Sequence, residues 1–232
     1  MLFDRLEEKP EIGRVSMHKT RANEETKPAG ALWMKMGLLL LIAAFLLICY
    51  NIWDDRRADI AAQKALVQLE QTLQTAHPLV DYRLNPDMEM PVQWIDGEAY
   101  IGVLTIPALD LTLPVISQWS YPGLKKAPCR YQGSAYNDTL IIAGHNYRTH
   151  FYGLKNLNNG DEILFTDYDG NHFLYRVTAV EVLAATAIEE MQSGDWDLTL
   201  FTCTYGGQSR VTVRCTSTDS DSNQIAKPIN TY

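Results

Sequence analysis

Residues 197–215 read DLTLFTCTYGGQSRVTVRC: an apolar-alternating run as far as Cys203, a loop with two glycines, and a second alternating run from Arg210. Period-two alternation is the mark of a half-buried strand, and Gly206-Gly207 supplies a turn that folds the second run back on the first. The segment is predicted to be a hairpin that ends one strand on a thiol and returns Arg210 close to it. A cysteine in a strand is ordinarily inert packing. At a strand end, followed by Thr204, Tyr205 and two glycines, it faces a loop mouth and its sulfur stays accessible.

Further runs of strand composition lie upstream: Tyr100–Ile106, Leu111–Val115, Thr139–Ala143, Glu162–Phe165 and Phe173–Val182. Turn signals such as Asn159-Gly160-Asp161 and Asp169-Gly170-Asn171 separate them. Seven or eight short strands with few helical interruptions predict a mainly β domain, a sandwich or a closed barrel. No internal repeat is visible. The strand at 139–143 runs directly into Gly144-His145-Asn146, so an imidazole is also presented at a strand end. A thiol, an imidazole and a guanidinium at three strand ends form a nucleophilic site: the thiolate attacks, the imidazole moves protons, and the arginine holds an oxyanion.

The N-terminal third is built differently. Met36 to Trp53 reads MGLLLLIAAFLLICYNIW without one charge, and eighteen residues rise about 27 Å as a helix, close to the hydrocarbon thickness of a bilayer. Trp33 and Trp53 flank the run where aromatic belts sit. The charged closure Asp54-Asp55-Arg56-Arg57 and the long polar lead favour an uncleaved signal anchor over a cleaved signal peptide. Lys19, Arg21, Lys27 and Lys35 before the span, against Arg56, Arg57 and Lys64 after it, place the N-terminus in the cytoplasm and the C-terminal bulk outside. Beyond the span, Ala62, Leu66, Leu69 and Leu73 form one stripe of a juxtamembrane helix that packs on the domain or a neighbour and ends at His77-Pro78. The expected organisation is a cytoplasmic tail (1–33), a transmembrane anchor (34–53), a juxtamembrane helix and linker (54–98), a catalytic domain (99–217) and a polar C-terminal tail (218–232).

Composition removes other classes. Of 232 residues, 20 are Lys or Arg and 28 Asp or Glu, a formal net charge of −8, which argues against a nucleic-acid partner because phosphates demand a positive surface. Four scattered cysteines fit neither a disulfide-stapled mini-protein nor a zinc module. His145 and His150 lack a third ligand at metal spacing, so no metal and no cofactor is expected, and His150 and His172 are read as surface or loop residues.

Thr199-Leu200-Phe201-Thr202-Cys203 resembles the Thr-Leu-x-Thr-Cys signature of sortases. Gly144-His145-Asn146 and Arg210 match the histidine and arginine of that family in order and spacing. Phe151, Leu154, Leu157 and Gly160-Asp161 resemble the segment that follows the sortase histidine; Ile106-Pro107 and Leu113-Pro114-Val115 resemble the strands that open the domain. The likeness covers about Tyr100–Thr216. It implies a closed barrel of about eight strands with short helices, on the outer face of a Gram-positive-type membrane. It also implies a cysteine transpeptidase that cleaves a Leu-Pro-x-Thr-Gly-like sorting signal. Its partners would be surface proteins or pilins bearing that signal, and an amine acceptor such as a peptidoglycan precursor or a pilin lysine. Carried over, Cys203 is the nucleophile, His145 the general acid/base, and Arg210 the oxyanion or substrate-positioning group; Asn146 and Thr202 are supporting residues.

Some questions stay open at this level. Arg210 and Arg214 fall on the same face of a strand, so alternation does not separate them; the family spacing favours Arg210. Asn146 either orients His145 or serves as a turn residue. Cys129 and Cys215 are read as free structural thiols, with a disulfide between them as the alternative outside a cell. The Gly-His-Asn, Phe-x-x-Leu and Thr-Cys-Thr-Tyr runs resemble class B more than class A, with subclass unsettled. There is no second apolar run near the C-terminus, no Asp-Pro-aromatic lid in Trp119–Asn137, and no calcium motif. Rival functions are a cysteine peptidase, disfavoured because papain-like enzymes place Cys before His, and a membrane-anchored β-module that only binds.

Overall fold

A computed structural model describes residues 29–73 and 81–218. Two compact units divide the chain, 1–46 and 47–232. The described part of the first is the opening stretch of one long helix, α1 (Ala29–Leu73). Leu39, Leu40, Leu41, Phe45 and Leu46 all stand exposed. A helix apolar on every side with no protein against it suits hydrocarbon rather than water, and by length and composition α1 is a candidate membrane span.

In the second unit α1 becomes amphipathic. Ala58, Ala62, Ala65, Leu66 and Leu69 are buried, a stripe at helical spacing that packs on the outside of the β domain. Ala65, Leu66 and Leu69 form one cluster there with Ile95, Tyr100, Val103, Ile116, Ala127 and Cys129. A fully buried leucine is worth about 1.5–3 kcal/mol, so this stripe is what seats the helix. The side chain of Leu73, the His77-Pro78 stop, and the tails at 1–28 and 219–232 lie outside the described residues.

Among the described residues nine strands form one sheet: β1 (Gln93–Ile95), β2 (Glu98–Ile106), β3 (Leu111–Ile116), β4 (Cys129–Gln132), β5 (Leu140–Gly144), β6 (Glu162–Asp167), β7 (His172–Ala184), β8 (Leu198–Cys203) and β9 (Ser209–Ser217). Their order is β1-β2-β3-β4-β5-β8-β9-β7-β6, and a further β2–β6 pairing closes β2–β9 into an eight-stranded barrel. Closure depends on β2 having two neighbours along its length, β3 on one edge and β6 on the other. Gly102 permits this: a Cβ there would lie 2.1 Å from the Thr166 carbonyl oxygen. The pairings are antiparallel except β3–β4 and β5–β8. Inside, Leu104, Leu140, Ile142, Phe165, Tyr175, Leu200 and Val213 interdigitate in one core.

Seven strands lie where alternation predicts them, and two do not follow from it. The segment CRYQ (β4) alternates weakly, and it is strand only because β5 pairs along it while β3 meets it at Ile116–Cys129. The expected linker after residue 79 holds β1 and a 3-10 turn, Tyr82–Leu84, capped by the Asp81 side chain. Tyr82 stacks on Tyr136 at 4.6 Å, which ties this segment to the barrel. The described residues also hold two short α-helices, α2 (Tyr121–Leu124) and α3 (Ile188–Gln192), and further 3-10 turns such as Phe151–Asn156 after His145.

Candidate active site

β5 and β8 lie side by side and parallel, with Gly144 opposite Thr202. Parallel neighbours leave a barrel at the same end, so the residues that follow, His145 and Cys203, emerge together at one rim. β8 and β9 are antiparallel with Cys203 opposite Arg210. Cross-strand partners have Cβ atoms about 5 Å apart. Three residues separated by up to 65 positions are thus gathered by register alone.

Side-chain direction follows from the pleat. Leu198 and Leu200 enter the core, so Thr199, Phe201 and Cys203 point to the outer face, with Arg210, Thr212 and Arg214 of β9 beside them. Aromatic rings extend this face away from the sulfur: Phe201 meets Tyr131 edge-on at 5.3 Å, and Tyr131 meets Trp119 at 6.3 Å. Trp119 and Tyr131 also line a cleft of about 560 Å³ with Arg130, Ser117 and Glu89. An extended peptide laid along this face would find apolar contacts leading to Cys203.

Gly144 makes the turn at His145 compact, because a Cβ on it would sit 2.4 Å from the Phe151 ring. Phe151 is buried beneath the loop, and its N–H donates to the His145 carbonyl at 3.1 Å. The imidazole stacks on Tyr147, with ring centroids 4.4 Å apart and planes 20° from parallel. Burial holds its pKa below the usual 6.5; Asp54 opposes that shift and Lys125 adds to it. A resting neutral imidazole can accept a proton from a thiol.

The two arginines differ in their partners. Arg210 is half-buried at the mouth and donates from Nη1 to the carbonyls of Gly207 and Ser209, both at 3.1 Å. No carboxylate pairs with it among the described residues, which leaves its charge available to an oxyanion. Arg214 is 3% exposed. Its guanidinium bonds Glu181 Oε1 at 2.8 Å, Thr199 Oγ1 at 3.1 Å, and the carbonyls of Met191 and Glu190. Arg214 is therefore consumed in fastening α3 to the barrel wall.

Other sequence candidates lie as follows. Thr202 is buried on the inner face, so its hydroxyl does not reach the mouth. Asn146 is half-buried and makes no hydrogen bond to His145 among the described residues. His172 is exposed and its Nδ1 meets Thr166 Oγ1 at 3.0 Å. His150 corrects the surface reading: it is fully buried, neither ring nitrogen has a partner among the described residues, and burial pushes its pKa down to about 4. The cause is the tight turn that carries Phe151 and His150 inward together. Cys129 and Cys215 are both free and buried, one under α1 and the other in the barrel core. Among the described residues no three His, Cys, Asp or Glu side chains converge as a metal site.

Nothing in the sequence ties Tyr147 to Asp54 and Asp55, which read there only as the charged closure of the apolar run. The Tyr147 hydroxyl donates to Asp54 Oδ2 at 2.6 Å, and Asp55 accepts from the Arg148 N–H at 3.1 Å. These contacts span more than ninety positions, and no periodicity reports them.

Residues 104–218 match the family model described as the sortase domain. No curated protein sequence matches the chain. Among solved structures, a Clostridium perfringens sortase D5 transpeptidase is similar over 68% of this chain and 98% of its own, at 18% identity and a TM-score of 0.52. That likeness is one of fold. Sortase C1 from Streptococcus suis matches 51% of this chain and 72% of its own at 26% identity, TM-score 0.45. A Clostridium perfringens sortase C solved with the C-terminal cell wall sorting motif matches 67% and 90% at 23% identity, TM-score 0.47.

Proposed function

From the match of residues 104–218 to the sortase domain model, we propose that the chain is a membrane-anchored cysteine transpeptidase acting on a Leu-Pro-x-Thr-Gly-like sorting signal. The observation that carries the reading is the double register, Gly144 with Thr202 and Cys203 with Arg210. In the proposed reaction the Cys203 thiol gives its proton to His145 and the sulfur attacks the threonine carbonyl carbon. The oxygen that gains negative charge is held by Arg210. Collapse of the tetrahedral species breaks the Thr–Gly bond, and His145 returns its proton to the leaving amine, so a thioester on Cys203 remains. An acceptor amine then attacks the same carbon, His145 takes its proton, and the Cys203 sulfur leaves and is reprotonated.

The acceptor is a peptidoglycan precursor or a pilin lysine. The apolar stretch of α1 anchors the enzyme with its N-terminus in the cytoplasm and the barrel outside, as the Lys and Arg asymmetry favours. Mass spectrometry of products from a sorting-signal peptide mixed with candidate amines tests the reading. A peptide–amine adduct that disappears with Cys203→Ala is expected. Release of the free acid alone, whatever amine is offered, would make the protein a cysteine hydrolase. An untouched peptide would leave a binding module.

A further inference from the structure

We infer that Tyr147 is a positioning residue for His145, and that Asp54, at the point where α1 leaves its charge-free run, holds Tyr147 in place. The inference rests on the reading of His145 as the proton-transfer group. No hydrogen bond reaches the imidazole of His145 among the described residues, whereas a histidine that moves protons is ordinarily oriented by a carboxylate or carbonyl on its second nitrogen. What touches the ring here is Tyr147, stacked at 4.4 Å and 20°. The stack opposes rotation of the imidazole about its Cβ–Cγ bond, which would carry the ring out of the plane it shares with the phenol.

A tyrosine in an irregular loop would itself wander unless tied. The tie is Asp54 Oδ2, which accepts the Tyr147 hydroxyl at 2.6 Å in a half-buried setting. Asp55 reinforces it by accepting the Arg148 N–H at 3.1 Å, so two consecutive carboxylates of α1 grip three consecutive residues of the loop, 147–149. Arg57 pairs with the other oxygen of the Asp54 carboxylate, Oδ1, at 3.5 Å. On the other side of the loop, Tyr147 tilts against buried His150 at 5.4 Å. Asp54, Lys125, His150 and the Tyr147 phenol are the charged and titratable groups around the His145 ring, with Cys203 and Arg210 at the same rim. The orienting carboxylate acts one step removed, through a phenol. The helix does not depend on this grip for its seat, because Ala65, Leu66 and Leu69 bury their side chains independently. Loosening the grip should therefore disturb His145 without undocking α1.

The test uses the full chain in detergent micelles with Tyr147→Phe, Asp54→Asn, the double variant and Tyr147→Leu. Read out are kcat and KM for a sorting-signal peptide with an amine, the melting temperature, and the side-chain NMR titration of His145. Loss of near-attack geometry falls on kcat. Tyr147→Phe and Asp54→Asn should each lower kcat about three- to tenfold with KM and melting temperature near wild type, and the double variant should be no worse than the singles. Tyr147→Leu, which also removes the stack, should lower kcat more than tenfold. The His145 titration should move to lower pH in Asp54→Asn, because a raising charge is gone. Wild-type turnover in Tyr147→Leu or losses that multiply in the double variant would overturn the inference. Should Tyr147→Leu fail to fold, the two conservative variants carry the test. If the wild type forms no adduct, the transpeptidase reading fails, while the ring-current shift that the Tyr147 stack places on the His145 ring protons in the same spectra still reports on positioning.

Discussion

Cys203 and Arg210 are direct partners across the antiparallel β8–β9 pair, and the loop between them, residues 204–208, is closed by Thr204 and Ser209 bonding each other. Among the described residues the guanidinium is tied to the carbonyls of Gly207 in that loop and of Ser209 at the start of β9. A thiol and a cation are therefore held together by one hairpin, and the barrel needs only to bring β5 alongside to complete the set.

The thiols should separate cleanly. Cys203→Ala is expected to abolish adduct formation, whereas Cys129→Ala and Cys215→Ala keep most of it and cost about 1 kcal/mol of stability each. Burial pushes the Cys129 thiol up to about 12 and raises Cys215 further, so neither forms thiolate near neutrality. Alkylation with iodoacetamide at pH 7.5, followed by peptide mapping, should modify Cys203 and spare both. Modification of Cys215 at a comparable rate would show the wrong thiol has been assigned.

The arginines should fail in different ways. Arg210→Lys should lower kcat by roughly 10²–10³-fold with little change in melting temperature, since a lysine lacks the planar fork. Arg214→Lys should cost about 2–4 kcal/mol, because four hydrogen bonds in a buried setting cannot be reproduced by an ammonium. Paired measurements of kcat and thermal midpoint check this. Loss of turnover in Arg214→Lys with the midpoint intact would reverse the two roles.

Acid should destabilise the domain through His150. Its folded-state pKa near 4 lies below the unfolded value of 6.5, so between those limits the unfolded chain binds more protons and stability rises with pH. Acidification from pH 7 to pH 4 should remove about 3 kcal/mol through this group. His150→Phe should be at least as stable at pH 7, where it also removes two unpartnered nitrogens, and should lose less on acidification. Urea midpoints at pH 7, 5.5 and 4.5 for both proteins decide it; parallel curves would clear His150 of the effect.

Topology is tested on intact cells. Protease shaving should remove the barrel and leave a membrane-embedded fragment with residues 1–30 protected. A protected barrel with a digested N-terminus would place the site on the opposite face.

Much of this protein was legible in the order of its residues, because the signals are local. Alternation marks strands wherever one face is buried, and it locates β2, β3 and β5–β9. A charge-free run such as 36–53 has few uses outside hydrocarbon, and the stripe at 62, 66 and 69 shows which side of α1 is buried. The Thr-Leu-x-Thr-Cys and Gly-His-Asn runs mark the groups proposed to react. What alternation cannot carry is the identity of a neighbour. That β5 lies parallel to β8, so that Gly144 meets Thr202, is a property of barrel closure and not of either strand. Arg210 and Arg214 share a face, and only α3 folding over the second buries it. CRYQ becomes β4 because strands on both sides pair with it. His150 goes inward with Phe151, and Asp54 reaches Tyr147, because packing joins distant segments through surfaces that exist only once the barrel has closed.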